Sequence, residues 1–324
     1  MSADILYLSA ADIIAAAPSE DASRHAILEA FAALKNGRAT SPPKQMEELS
    51  VGLSFQSRMA TWEEKGFAAI KWIGVVPVPP ASSQPGIHAT IILNEYATGR
   101  PLAVMEGNIL TGIRTAAMSA AAAQKLARRD AKTLGLIGCG LQARYHLKAL
   151  QAVIPTLENV IAYSRSAQSA EALVAEARAT GWHGTTVLTP EAAVRDCDVL
   201  VTTVPAAPGL QSFLDPLWIP EGAFVCAVDI ARSWQADALC TLDLIATDSH
   251  EQQAQSALLA PGLGPMGTLD ADLAELAAGT HPGRTDDRQR AMFIFRGLGL
   301  ADLALASAIY HEARERGLGT YLPV

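Results

Sequence analysis

A doubly wound α/β fold joined to a smaller α+β segment is what this 324-residue sequence predicts, and three observations carry that reading. The first is the stretch Thr133-Leu134-Gly135-Leu136-Ile137-Gly138-Cys139-Gly140-Leu141-Gln142-Ala143. An apolar run of strand type ends there in Gly-x-Gly-x-x-Ala, and a helical pattern follows through Leu147, Leu150 and Val153. A buried strand, a tight glycine turn and a helix N-terminus make a dinucleotide-binding βα unit. The second is that strand and helix patterns alternate from residue 131 onward, which implies a parallel sheet. The third is that the residues before 131 read differently, as antiparallel strands plus helices. The length suits about two domains with sizeable cores. We place a first, α+β domain at 1–118 and 296–324, and a dinucleotide-binding domain at 119–295.

In chain order, residues 4–8 read as a short strand, and Ser9 as the cap of a helix from Ala10. Ser19 to Leu34 is amphipathic, with Ala22, Ile27, Leu28, Phe31 and Leu34 on one side, and stops at Asn36-Gly37. Ser41-Pro42-Pro43-Lys44 is stiffened by its prolines and sets a lysine ahead of the next segment. Leu49–Met59, Phe67–Val76 and His88–Asn94 are strand-like, with a Pro/Ser loop from Pro77 to Gly86. Leu102–Met105 completes a hairpin across the turn Thr98-Gly99-Arg100-Pro101. The first third is therefore read as antiparallel strands plus helices. Arg114 stands where a loop enters an Ala-rich helix ending near Leu126. Further strands are expected at 133–137, 159–163, 185–188, 198–204, 223–228 and 243–247. Helices are expected at 142–152, 167–179, 190–195 and 297–316.

Half the residues are hydrophobic but only 6% aromatic, so Ala, Leu, Val and Ile build the core. The net charge of −8 and the lack of a dense Lys/Arg run argue against nucleic acid or anionic membrane as a partner. Cys139, Cys197, Cys226 and Cys240 have no metal-ligand spacing and read as small buried residues, so no metal site is expected. Asp4 and Asp12 near the N-terminus do not suit a signal peptide, and no apolar run is long enough to span a bilayer. The expectation is a soluble, cytoplasmic protein.

Gly138 allows the turn, Gly140 lets the backbone approach a pyrophosphate, and Ala143 lets helix and strand pack closely. Around them, Leu141, Gln142, Arg114 and Thr115 are candidate cofactor contacts. Thr202, Thr203, Val228 and Asp229, in or beside later strands, complete the set. After the second strand of this domain comes Ser164-Arg165, where an NAD-selective site usually has an acid. These two residues permit NADP(H). Lys71 lies mid-strand among apolar neighbours and requires an anion, unless it snorkels from an edge strand. Arg114 offers a planar fork for a carboxylate, or an ordinary salt bridge. His146 and His311 read as structural or surface residues.

With these residues in place the chain resembles the ornithine cyclodeaminase/μ-crystallin family along nearly its whole length. The resemblance rests on Ile70-Lys71-Trp72-Ile73-Gly74, Thr98 to Gly107, Leu110-Thr111-Gly112-Ile113-Arg114-Thr115-Ala116-Ala117, the glycine loop, and Gly283-Arg284-Thr285-Asp286-Asp287-Arg288-Gln289. It implies a homodimer whose first domain binds substrate and makes the dimer contacts, and a second, Rossmann domain that holds a nicotinamide near the substrate carbon. It further implies that Lys71 contacts the substrate carboxylate or reacting nitrogen, and that Arg114 binds the α-carboxylate. Lys44 falls near a position where the family often has a carboxylate-binding arginine. Two departures stand out. Where cyclodeaminases carry a catalytic aspartate, Asp229 comes early and Arg232 falls at or beside the expected position. Where the family usually has a small apolar residue against the substrate side chain, this chain has Arg296.

An extra guanidinium near Lys71 and Arg114 calls for a second anion. Alternatively, Arg296 pairs with Asp302 or Glu312 on the last helix. Among the family's imino-acid reductases, the branch that reduces iminosuccinate fits best. The expected activity is therefore NAD(P)H-dependent reduction of a small anionic 2-imino acid, iminosuccinate to L-aspartate, with NAD(H) favoured. Lys71 and Arg114 are the catalytic candidates, and Lys44, Arg232 and Arg296 further substrate contacts. A cyclodeaminase, an N-(carboxyalkyl) amino-acid dehydrogenase and a μ-crystallin-like binding protein are the alternatives.

Overall fold

The computed structural model describes residues 4–50, 52–77, 86–207, 209–259 and 268–323. The Pro/Ser loop expected around Pro77–Gly86 falls mostly on 78–85, outside the described residues. The chain divides into two compact units, residues 1–114 with 297–324, and residues 115–296. Arg296 thus belongs with the second unit.

The first unit runs β1 (Ile5–Leu8), α1 (Ala10–Ala15), α2 (Glu20–Lys35), β2 (Ala39–Thr40), β3 (Gln45–Ser50), β4 (Leu53–Trp62), β5 (Phe67–Val75), β6 (Ile87–Glu95) and β7 (Pro101–Glu106), then enters the helix α3 (Gly107–Leu126). Local chemistry sets several of these ends. Ser9 Oγ accepts from the Asp12 amide while the Asp12 carboxylate accepts from the Ser9 amide, a reciprocal cap that starts α1. Ser19 caps α2 through the Ala22 amide. The strand expected at 49–59 is in fact two, β3 and β4, separated by a turn in which Gly52 has φ +78°. The sheet is ordered β16-β1-β7-β6-β5-β4-β2, with β3 paired to β4 and β16 at Thr320–Leu322. It is antiparallel except at one seam, where β1 runs parallel to β7, so the all-antiparallel expectation is corrected there.

The helix α9 (Gly299–Glu315) lies on one face of β4, β5 and β6. The two-residue period of β5 sends Phe67, Ala69, Lys71 and Ile73 to that buried face. The opposite face carries Phe55, Met59, Trp72 and Ile92, all exposed, with Phe55 and Trp72 stacked at 5.7 Å.

The second unit is the doubly wound α/β domain. Its strands are β8 (Thr133–Ile137), β9 (Asn159–Tyr163), β10 (His183–Thr186), β11 (Val199–Thr202), β12 (Phe224–Ala227), β13 (Leu244–Thr247), β14 (Ala271–Asp272) and β15 (Ala291–Ile294). They lie in the order β10-β9-β8-β11-β12-β15-β13-β14, and every pair is parallel. The helices are α4 (Leu141–Val153), α5 (Ala167–Ala179), α6 (Pro190–Arg195), α7 (His250–Leu259) and α8 (Leu273–Ala278). Strand order reverses between β8 and β11, and the turn after β8 opens at that switch point, where doubly wound sheets bind ligands. The sequence reading did not foresee β15, which slots between β12 and β13. Its four residues Ala-Met-Phe-Ile are buried on both faces and show no alternation to mark a strand. No helix among the described residues is long and apolar enough to cross a membrane.

Candidate active site

The glycine turn of the second unit is shaped for a phosphate-bearing ligand. Gly138 has φ +89°, and a Cβ there would fall 2.8 Å from Thr203 Oγ1 and 2.9 Å from the Thr203 carbonyl oxygen. Only glycine fits. Thr203 in turn donates its hydroxyl to the Gly138 carbonyl at 2.9 Å. Gly140 is the N-cap of α4 and offers no side-chain cap, so the first amides of that helix keep their donors. A Cβ at Gly140 would meet nothing within 4 Å. Uncapped amides beside open space at a 13-residue helix suit a pyrophosphate.

The helix is pinned from behind. His146 is fully buried, with Nδ1 2.8 Å from the Gln142 carbonyl and Nε2 2.9 Å from Ser119 Oγ. Burial pushes its pKa down to about 4, so it is a neutral structural histidine, as its sequence setting suggested. Arg144 holds the turn itself, donating to the carbonyls of Cys139 and Gly140 while paired with Glu176. Leu141 is exposed, Gln142 half-buried and Ala143 buried. After β9, Ser164 is half-buried and Arg165 exposed.

At the ends of β11 and β12, Asp229 is buried and accepts hydroxyl hydrogen bonds from Thr202 at 2.9 Å and Ser233 at 2.6 Å. Burial pushes its carboxyl up, against the two hydroxyls and the charge of Arg232. Val228 is half-buried beside it. The next two residues, Ile230 and Ala231, take left-handed φ values of 61° and 56°. These are strained for non-glycine residues, most of all for a β-branched one. They lead to Arg232, whose guanidinium is half-buried. Arg296 lies close enough for its pKa to feel the Arg232 charge. Its Nε donates to Gln253 Oε1 at 3.0 Å, and Asp248 is the nearby counter-charge. The carboxylates offered by the sequence as its partners are engaged elsewhere, Asp302 by Lys71 and Arg114, and Glu312 by Arg316.

The first unit gathers its charges from four elements. Lys71 on β5 is 1% exposed, on a strand flanked by β4 and β6, so it does not snorkel from an edge. Its Nζ donates to Asp302 Oδ1 at 2.6 Å and to Thr111 Oγ1 at 3.2 Å. Arg114 Nε reaches the same Asp302 oxygen at 2.9 Å. Arg114 is not at a loop–helix junction, since α3 already begins at Gly107 and continues through Gly112. Arg58 on β4, paired in register with Lys71, adds a third cation. A Cβ at Gly297, which has φ +85°, would fall 2.6 Å from Arg58 Nη1 and 2.7 Å from Arg114 Nη1, so only glycine lets the two guanidinia approach it.

Three cations around one carboxylate leave an excess positive charge in a buried place, which an incoming anion would offset. Burial and Arg114 press the Lys71 pKa well below that of a free lysine, with Asp302 opposing. Burial acts to raise the Asp302 carboxyl, but Lys71, Arg114 and Arg58 overcome it and hold the carboxyl below its usual value. Sequence reasoning missed Arg58 and the pairing of Asp302 with Lys71 and Arg114. The available signal for Asp302 was a single acid inside the apolar helical run Gly299–Ile309.

Lys44 lies just before β3 in the first unit, half-buried. Thr115 is buried in the second unit. The Gly283–Gln289 stretch is structural: Arg284 donates to the carbonyls of Leu126, Gln289 and Ala223, tying the end of α3 to the start of β12. Three cysteines are buried, but Cys240 is exposed within the 3₁₀ helix Ala236–Thr241, correcting the expectation for it. His250, Asp272 and Glu275 bring ligand-type atoms within 4.8 Å of one another. Asp272 and Glu275 there form the reciprocal cap of α8.

A sequence model of the ornithine cyclodeaminase/mu-crystallin family matches residues 6–317. An alanine dehydrogenase from Archaeoglobus fulgidus is 31% identical over 309 residues, 93% of each chain. Among solved structures, an archaeal alanine dehydrogenase dimer with bound NAD superposes with TM-score 0.87 at 30% identity, over 98% of this chain and 99% of that one. The Thermococcus litoralis Δ1-pyrroline-2-carboxylate reductase in complex with NADH and L-proline gives TM-score 0.88 at 28% identity, over 98% and 100%. With a family match spanning both units, and a relative of this identity over nearly the whole chain, the protein belongs to the ornithine cyclodeaminase/mu-crystallin family.

Proposed function

We propose that this chain is an NAD(H)-dependent reductase of a small 2-imino acid bearing a second carboxylate, with iminosuccinate as substrate and L-aspartate as product. Relatives named as a dehydrogenase and a reductase, with NAD or NADH bound in their structures, support the reaction class and the cofactor. The second unit would hold NAD(H) through the amides of the glycine turn and the start of α4 at Gly138–Ala143, with Ser164, Arg165, Thr115, Thr202, Thr203, Val228 and Asp229 around it. When bound, the nicotinamide supplies a hydride to the imine carbon.

The chain's own residues do the rest. The Arg114 fork grips the α-carboxylate, with Arg58 adding charge and Lys44 a further contact. The protonated Lys71 gives a proton to the imine nitrogen as that nitrogen takes up the electron pair of the C=N bond, so that hydride on carbon and proton on nitrogen together make the amine. Holding the carbon in register with the hydride donor supplies much of the rate gain.

The single observation carrying the dicarboxylate reading is the Arg232–Arg296 pair, two half-buried guanidinia in one unit near enough to repel. A distal carboxylate relieves that repulsion. The alanine dehydrogenase relative favours a second reading, a monocarboxylate substrate. Kinetics of Arg296→Val with oxaloacetate plus ammonia and with pyruvate plus ammonia separate the two. We expect kcat/KM to fall about ten- to a hundredfold on the dicarboxylate alone, the scale of one charge-assisted contact. Equal losses on both substrates, or none, overturn the dicarboxylate assignment.

A homodimer is part of the same proposal, supported by the dimeric relative and by the exposed apolar face of β4, β5 and β6. A patch carrying Phe55, Met59, Trp72 and Ile92 is of the kind that marks a protein interface.

A further inference from the structure

One carboxylate oxygen receives two cations from different elements. Asp302 Oδ1 accepts from Lys71 Nζ of β5 at 2.6 Å and from Arg114 Nε of α3 at 2.9 Å, and all three residues are buried. The arrangement fixes both donors at once. With Nε committed to Asp302, the Nη1 and Nη2 end of Arg114 is turned toward Gly297, where a Cβ would fall 2.7 and 3.1 Å from the two nitrogens. That end carries the paired N–H groups a carboxylate accepts side by side. Lys71, meanwhile, is hemmed in by like charges. Arg58 faces it from β4 and Arg114 from α3, β6 presents only Ile91 at the paired position, and Asp302 on α9 is the one carboxylate among the groups acting on it.

We infer that Asp302 is a positioning residue that keeps Lys71 protonated and fixes the plane of the Arg114 guanidinium for the substrate carboxylate. The inference rests on the reductase reading for its kinetic consequence, but not for its physical one. An ammonium next to two guanidinia in a buried site sheds its proton at a lower pH than a free amine. The Asp302 charge opposes that loss. Without it Lys71 becomes a neutral amine at a lower pH, and a neutral amine is far too weak an acid to give a proton to an imine nitrogen.

The test compares Asp302→Asn, which keeps the shape and removes the charge, with Asp302→Glu, which keeps the charge on a longer arm. Imine reduction is followed against pH as the ratio to the parent protein, so the pH dependence of the imine itself cancels. In Asp302→Asn the alkaline limb should move to lower pH by roughly one to three units, the effect of one close opposite charge. KM for the imino acid should rise as the Arg114 fork loses its anchor. In Asp302→Glu the limb should stay near its parental position, whatever happens to kcat. An unmoved limb in folded Asp302→Asn, or an equal movement in both variants, overturns the inference.

A second measurement is independent of turnover. The ¹³Cε resonance of Lys71 is followed against pH in lysine-labelled parent, Asp302→Asn and Asp302→Glu proteins, and assigned by its loss in Lys71→Arg. Titration of Lys71 at lower pH in Asp302→Asn than in the parent supports the inference even if no imine is reduced, a result that would instead fell the functional reading. The same titration in parent and Asp302→Asn overturns it. If Asp302→Asn does not fold, Asp302→Glu decides: parental titration with the charge retained supports the inference, and a lowered titration overturns it.

Discussion

Two buried aspartates stand at the candidate centres of the two units, and their surroundings are opposite. Asp302 is held by cations, Lys71 and Arg114 on one oxygen with Arg58 nearby, and its carboxyl sits below its ordinary value. Asp229 is held by two hydroxyls, from Thr202 and Ser233, and burial wins, so its carboxyl sits above. Burial alone therefore does not tell what a carboxylate is for. The number of full charges facing it decides whether it is a fixed anion or a group able to take up a proton.

The largest expected effect is at Lys71. Lys71→Met should lower kcat for imine reduction by about a hundred- to ten-thousandfold, the usual worth of a proton-transferring group. NADH affinity, read by fluorescence titration, should stay unchanged. A residual rate close to parental would remove the cation cluster from the chemistry. Next comes Gly140→Val. A Cβ is tolerated there, so the fold should survive and NADH affinity fall on the order of ten- to a hundredfold, the loss of one or more charge-assisted contacts. Unchanged NADH affinity would refute the glycine turn as the cofactor site.

The aspartate contrast is tested by stability. Asp302→Asn breaks a buried ion pair and should cost about 3–5 kcal/mol near neutral pH. Because the Asp302 carboxyl is lowered, its contribution is present above the ordinary 3.8 and lost as pH falls through the lowered value, so the gap to the parent should close in acid. Asp229 behaves in the reverse sense. Its raised carboxyl gives stability that is full below 3.8 and lost as pH rises through the folded value. Asp229→Asn should therefore gain on the parent as pH rises from acid toward neutral. Melting curves across that range check both signs, and parallel curves for the two variants would break the comparison. The smallest effect is expected at exposed Arg165: Arg165→Ala should change kcat/KM with NADH by no more than about twofold, as for a solvated surface charge. Higher kcat/KM with NADPH than with NADH in the parent would reverse the assigned cofactor preference.

What was readable in the sequence follows the distance along the chain over which each feature is made. The glycine turn, its strand and its helix are neighbours in sequence, and the doubly wound unit follows from alternation repeated over the second half. Lys71 was visible as a charge in an apolar strand. Its partner was not, because Asp302 lies 231 residues away and only tertiary packing joins them. Arg114 was set at a helix entrance, although Gly112 stands two residues before it inside the helix. A glycine inside a helix costs only about 1 kcal/mol, and α3 passes through it. The parallel seam of β1 with β7 escaped for the same reason as Asp302, being a pairing of distant segments.

The left-handed pair Ile230–Ala231 bears on how this chain would respond to selection. Glycine would relax the backbone at either position, but at Ile230 it removes a side chain packed on the core and at Ala231 only one methyl, so a screen for thermal tolerance alone should enrich it at 231. The same change would let the backbone at Arg232 wander. A screen for discrimination between one- and two-carboxylate substrates should instead retain alanine, so the two screens would draw opposite sequences from one library at codon 231.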